Sequence, residues 1–92
     1  MLNLLVMTAV TAAIIFDEPK TPAELAFDKF KAMEGRWSGT EQDVRVETAR
    51  YRVIADGTVV MQDSEFEAHP GETMVTMIHM DGGRLMLTHY CV

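Results

Sequence analysis

The hydrophobic pattern along the chain divides it into three parts with different periods. From Leu2 to Phe16 the sequence is almost continuously apolar, broken only by Asn3, Thr8 and Thr11. Ala23, Phe27, Phe30 and Met33 then fall at helical spacing, with Asp28, Lys29 and Lys31 pointing elsewhere. From Trp37 onward the period is two: Val44, Val46 and Thr48 alternate with Arg45 and Glu47, and the pattern continues through Tyr51 to Ile54.

The middle part predicts a helix from Pro22 to Glu34. Thr21 can accept from the first free N–H groups, Pro22 suits the first helical position, and Glu24 completes a T-x-x-E capping box. Gly35 supplies the expected C-cap. The last part predicts strands separated by turn residues. A first strand near Trp37 to Glu41 is separate from the second or runs on into it. Asp56-Gly57 makes a two-residue hairpin turn, and Thr58 to about Ala68 returns. His69-Pro70-Gly71 is read as a three-residue loop, Thr73 to Met80 as a strand, Gly82-Gly83 as a turn, and Leu85 to Val92 as the last strand. The fold class is therefore mainly β: a short N-terminal helix followed by an antiparallel up-and-down meander of about five strands.

Pairing the strands gives each face a character. The Asp56-Gly57 turn sets Arg50 opposite Asp63, Arg52 opposite Met61 and Val53 opposite Val60. Arg50, Arg52, Asp63 and Glu65 then share an exposed face with opposite charges as neighbours. The other face carries Ala49, Tyr51, Val53, Val60, Gln62, Ser64 and Phe66. The three-residue loop adds Met74, Ile78 and Met80 to it, and the Gly82-Gly83 turn adds Leu85, Leu87 and Cys91. A slip of one residue at His69-Pro70-Gly71 would reverse the last two strands. In this register one row across the inner face is polar: Ala49, Ser64, Thr76 and His89. With Tyr51 and Gln62 these residues form the candidate ligand-binding set: Tyr51, Gln62, Ser64, Thr76 and His89. Such a row is either the hydrogen-bonding end of an apolar pocket or a set of groups satisfying one another within a core.

Composition limits the chemistry. All charged residues lie from Asp17 onward, so the net charge of −6 belongs to the body of the chain. An acidic body without a run of cations argues against nucleic-acid binding and against adhesion to an anionic membrane surface. One cysteine, Cys91, excludes an intrachain disulfide and a cysteine-based zinc site. Ser64 and His89 lie two strands apart, about 9–10 Å, whereas a serine nucleophile needs its base within about 3 Å. Asp63 and Glu65 face away from that histidine. His69, His79 and His89 recur every ten residues, but they fall in a loop and on two opposite faces, so they do not converge on one ion. Asp63, Glu65 and Glu67 read as a solvated charged face, and the methionines as gap-filling apolar groups. The sequence thus assigns no catalytic residue, metal or cofactor.

The apolar stretch over residues 1–16 is shorter than the ~20 residues of a membrane-spanning helix. Its length and position fit the core of an export signal, with Thr11-Ala12-Ala13 near a cleavage point, either removed or retained as an anchor. A buried N-terminal strand or helix is the alternative. Asp17 to Lys20 is a short linker, and residues 21–92 form the domain.

A capped helix leading into Gly35-Arg36-Trp37 resembles the G-x-W entrance of lipocalins and related calycin barrels. The stretches Tyr51 to Met61 and Met74 to Cys91 resemble a group of uncharacterised bacterial exported proteins with a lipocalin-like domain of unknown function. The resemblance implies a barrel with Trp37 plugging one end, and an exported location, periplasmic or extracellular. It brings no activity. Barrels of this class need about eight to ten strands; this chain supplies about five, so the resemblance implies half a barrel from a C-terminally truncated member. In a haem-binding relative of the nitrobindin type the iron ligand would fall in the missing part. The functional expectation is a non-catalytic module of the cell envelope holding a small apolar or amphipathic ligand. The alternative is a self-associating structural domain, a homodimer through open sheet edges, or a truncated product without independent activity.

Overall fold

Helix α1 (Pro22–Ala32) starts as its cap residues dictate. In the computed structural model, which describes residues 18–92, Thr21 Oγ1 accepts from the Glu24 N–H at 3.2 Å and donates to Glu24 Oε1, also at 3.2 Å. The segment read as an export leader, residues 1–16, lies outside the described residues, as does Asp17 of the linker. The helix ends at Ala32, short of the predicted Glu34, with Met33 as its C-cap. Its last N–H groups tighten onto carbonyls three residues back, Met33 to Phe30 and Glu34 to Lys31. Two contacts pull the chain out of the helix here. The Trp37 indole N–H donates to the Met33 carbonyl at 2.6 Å, and the Glu34 carboxylate accepts from the Val53 N–H at 2.9 Å. Gly35 is consequently the first residue of the sheet, at φ +129°, and not a helix C-cap.

Five strands follow in one open antiparallel sheet whose spatial order is the chain order: β1 (Gly35–Glu41), β2 (Val44–Ile54), β3 (Val59–Phe66), β4 (Met74–Asp81) and β5 (Arg84–Tyr90). β1 and β2 are separate, joined by a tight turn in which Gln42 (φ 50°) and Asp43 (φ 64°) are both left-handed. The β2–β3 register is the predicted one, with Arg50 opposite Asp63 and Val53 opposite Val60. Asp56 and Gly57 take the positive φ of the expected turn, closed by the Thr58 N–H on the Ala55 carbonyl at 3.1 Å. The β4–β5 register also matches, with Asp81 opposite Arg84 across Gly82-Gly83.

The β3–β4 connection differs from the three-residue loop expected. His69 N–H bonds to the Phe66 carbonyl and Glu72 N–H to the His69 carbonyl, so two turns succeed one another. The second has Pro70 and Gly71 at its centre, with Gly71 at φ +84°, as Pro-Gly favours in a type II turn. These turns absorb Glu67 to Thr73, and the register moves by two residues: Val60 pairs with Ile78 and Ser64 with Met74. An even shift keeps every side chain on its face, so the apolar face survives while its rows change.

α1 lies across one end of that face. Phe27, Val60 and Ile78 are buried together, with Phe30, Tyr51, Val53, Met80 and Leu85 packed around them. Each such apolar side chain contributes about 1.5–3 kcal/mol on full burial. Lys31 places its ammonium 4.9 Å from the Phe27 ring centre, covering the outer side of the helix anchor. The half of the face nearer the β3–β4 loop has no such cover. Trp37 and Phe66 stand exposed there among the described residues, and Leu87, opposite Ile78 at the β5 edge of the covered rung, is exposed as well.

Candidate functional site

The revised register changes which residues share the polar row. Tyr51 is opposite Gln62, Gln62 opposite Thr76, and Thr76 opposite His89, so these four lie in line across β2, β3, β4 and β5. Ser64 leaves the row. It lies one rung away between Ala49 and Met74, not beside Thr76, because the double turn moved β4 by two residues. Of the five candidate residues the structure therefore aligns four and sets Ser64, 5% exposed, in an otherwise apolar rung.

The row is hydrogen-bonded in pairs. Gln62 Nε2 donates to the Tyr51 hydroxyl at 3.2 Å, and Thr76 Oγ1 lies 2.8 Å from His89 Nδ1. An amide, a phenol, a hydroxyl and an imidazole have more donor and acceptor capacity than these bonds use. The Tyr51 hydroxyl proton, the Gln62 Oε1 and second amide N–H, and His89 Nε2 are not used by these bonds. The Tyr51 ring packs against the cluster beneath α1, whereas His89 is exposed, so the row runs from the covered to the open part of the face. Beside it Phe66, Met74 and Cys91 line a hollow of about 230 Å³, with Cys91 Sγ 3.8 Å from Met74 Sδ. This arrangement suits orientation of a molecule by one or two hydrogen bonds on an apolar wall.

Among the described residues Ser64 and His89 do not form a nucleophile–base pair. Ser64 and His89 lie on strands separated by β4 and on different rungs, and His89 Nδ1 is engaged by Thr76. The other histidines sit apart: His79 is paired with Val59 and Met86, facing away from His89, and His69 lies in the β3–β4 loop with Nδ1 3.6 Å from Glu72. Among the described residues no three side chains of metal-ligating type come together. Trp37 lies on the helix-side face opposite Ala49, half exposed, with its N–H on the helix terminus.

The opposite face holds the predicted charges and a groove the sequence did not reveal. Arg50 Nε and Arg52 Nη2 approach the same Asp63 oxygen, at 3.6 and 3.4 Å, and Arg45 pairs with Glu67 at 2.9 Å. Arg36 is directly opposite Arg50, and Ser38 opposite Thr48. Together with Asp63, Glu65 and Thr73 these residues line a polar groove of about 480 Å³. Finding it required the β1–β2 register, which hangs on a Gln42-Asp43 turn that carries neither glycine nor asparagine to announce it.

Among the described residues no helix is long and apolar enough to cross a membrane. No family model matches the chain, and no curated protein or solved structure is significantly similar to it.

Proposed function

We propose that the protein is a non-catalytic binding module of the cell envelope, holding a small apolar or amphipathic molecule against the uncovered half of its helix-side face. The observation that carries this reading is the row Tyr51–Gln62–Thr76–His89, set among the exposed apolar groups Trp37, Phe66 and Leu87. An apolar wall with a few aligned polar groups is the usual make-up of a small-molecule site. The apolar leader and the lipocalin-like pattern of the sequence support an exported protein of that kind. The test is native mass spectrometry and solvent extraction of the protein purified from its own host. A defined co-purifying small molecule, lost in a Gln62→Leu, His89→Leu variant, supports the reading. A preparation with nothing bound overturns it.

Self-association is a second reading, carried by β5. This edge strand is regular over its length, has Arg84 as its single full charge, and exposes Leu87 and Tyr90. Edge strands of this kind promote pairing with another chain. Light scattering separates the two: a stable soluble monomer contradicts a β5-mediated dimer and leaves the ligand site intact.

A further inference from the structure

The face turned away from α1 carries an arrangement with no role in the proposed ligand site. Arg36 and Arg50 are direct cross-strand partners, and the register places Arg52 diagonally from Arg36 on the same face. Like charges opposite one another in a sheet are destabilising. The chain concentrates four of its five arginines on β1 and β2, although the body as a whole is acidic. The two carboxylates of the groove are already committed. Asp63 lies between Arg50 and Arg52, and Glu65 Oε1 accepts from the Gly71 N–H at 3.1 Å. Nothing neutralises Arg36: among the described residues it has no carboxylate within ion-pair distance, and its cross-strand neighbours on that face are Thr48, Arg50 and Arg52. Arg50 Nε and Arg52 Nε are buried and without a hydrogen-bond partner. Hydroxyls of Ser38, Thr48 and Thr73 border the same groove of about 480 Å³.

We propose that this groove is a binding site for a small oxyanion, a phosphate or carboxylate group, held by Arg36 and Arg50 with the hydroxyls at its border. A guanidinium presents paired donors that match the edge of such an anion. An anion between Arg36 and Arg50 turns their repulsion into a shared attraction. The neighbouring Asp63 and Glu65 limit its strength, so the site fills only at high anion concentration. It lies on the face opposite the polar row and stands independently of the ligand proposed there.

The experiment titrates the purified chain with sodium phosphate and, separately, sodium succinate, against sodium chloride at matched ionic strength. The readouts are the arginine Nε–Hε resonances and the backbone amide resonances of Arg36, Ser38 and Thr48, which border the groove. The expected result is saturable binding of at least one oxyanion that chloride does not reproduce. The two arms tell a phosphate site from a carboxylate site. Arg36→Gln is expected to weaken it by about tenfold or more, Arg36→Lys to weaken it less, and Arg84→Gln, on β5, to leave it unchanged. Arg36→Gln is also expected to keep or raise the melting temperature, since it relieves a like-charge pair. A response matched by chloride, a response unchanged in Arg36→Gln, or unfolding of that variant would each overturn the proposal.

Discussion

Ile78 and Leu87 are direct cross-strand partners on the same face, yet Ile78 is 2% exposed and Leu87 52%. The difference comes from α1, whose Phe27 covers the Val60–Ile78 part of the face. Truncating each to alanine therefore measures what the helix contributes. Ile78→Ala removes roughly three methylene equivalents of buried surface, ~2.4 kcal/mol at ~0.8 kcal/mol each. A cavity left beneath Phe27 raises this to about 3–4 kcal/mol, within the usual range for such substitutions. Leu87→Ala removes a group already half in water and is expected to cost about 1 kcal/mol or less. A domain of this size has on the order of 5 kcal/mol in total, so Ile78→Ala should leave about 1–2 kcal/mol, a chain still mostly folded at room temperature but with roughly a tenth of the population unfolded. Urea melts followed by circular dichroism decide the matter, with Ile78→Val as an intermediate expected near 1 kcal/mol. Equal costs for Ile78→Ala and Leu87→Ala would refute the placement of the helix. A larger cost for Leu87 would refute the register as well.

Other parts of the fold give sharper local tests. Replacing Gln42-Asp43, both at positive φ, by Asn-Gly should stabilise the chain by about 1 kcal/mol, because that pair adopts a left-handed two-residue turn with little strain; a lower melting temperature would contradict the turn. Glu34→Ala should cost about 1 kcal/mol by freeing the Val53 N–H that its carboxylate now receives, and loss of hydrogen-exchange protection at Val53 would report it. The Lys20 ammonium, 2.5 Å from Asp28, holds the Asp28 carboxyl below its ordinary value of 3.8 and is itself raised above 10.5. The sign follows from each shift: the Asp28 contribution is present above pH 3.8 and is lost as pH falls through its lowered folded value. The Lys20 contribution is present below pH 10.5 and lost as pH rises through its raised one. Asp28→Asn should flatten the acid side of the pH–melting profile, and 1 M salt, with a screening length of about 3 Å, should blunt the difference; a profile unchanged by the substitution would contradict the pair.

How much of this was legible depends on which residues announce themselves. Asp56-Gly57 and Gly82-Gly83 fix two registers because glycine there accepts positive φ, and both pairings follow from the sequence. Thr21, Pro22 and Glu24 likewise mark the helix start. Its end falls at Ala32, two residues before the expected Glu34, because Trp37 and Glu34 satisfy groups that the helix and the sheet edge leave free, a tertiary effect without a local signature. His69-Pro70-Gly71 looked like a whole loop. It is the centre of one turn, and the preceding turn over Glu67 and Ala68 has no glycine, asparagine or proline to mark it. That single omission displaced Ser64 from the polar row and brought Tyr51 and Gln62 into line with Thr76 and His89. The faces themselves are those the sequence pattern predicts, because a shift of two residues preserves them.

The central claim is that the row Tyr51–Gln62–Thr76–His89 and the apolar groups beside it form one wall of a small-molecule site. An uncharged amphipath, 1-dodecanol, tests it without engaging the arginines on the opposite face. Titrated into the isotopically labelled chain, it is expected to shift resonances of Gln62, Thr76, His89, Phe66 and Leu87 together along one saturating curve, while Arg36, Arg50 and Thr48 stay fixed. Shifts confined to the opposite face, or none that saturate, would contradict the account.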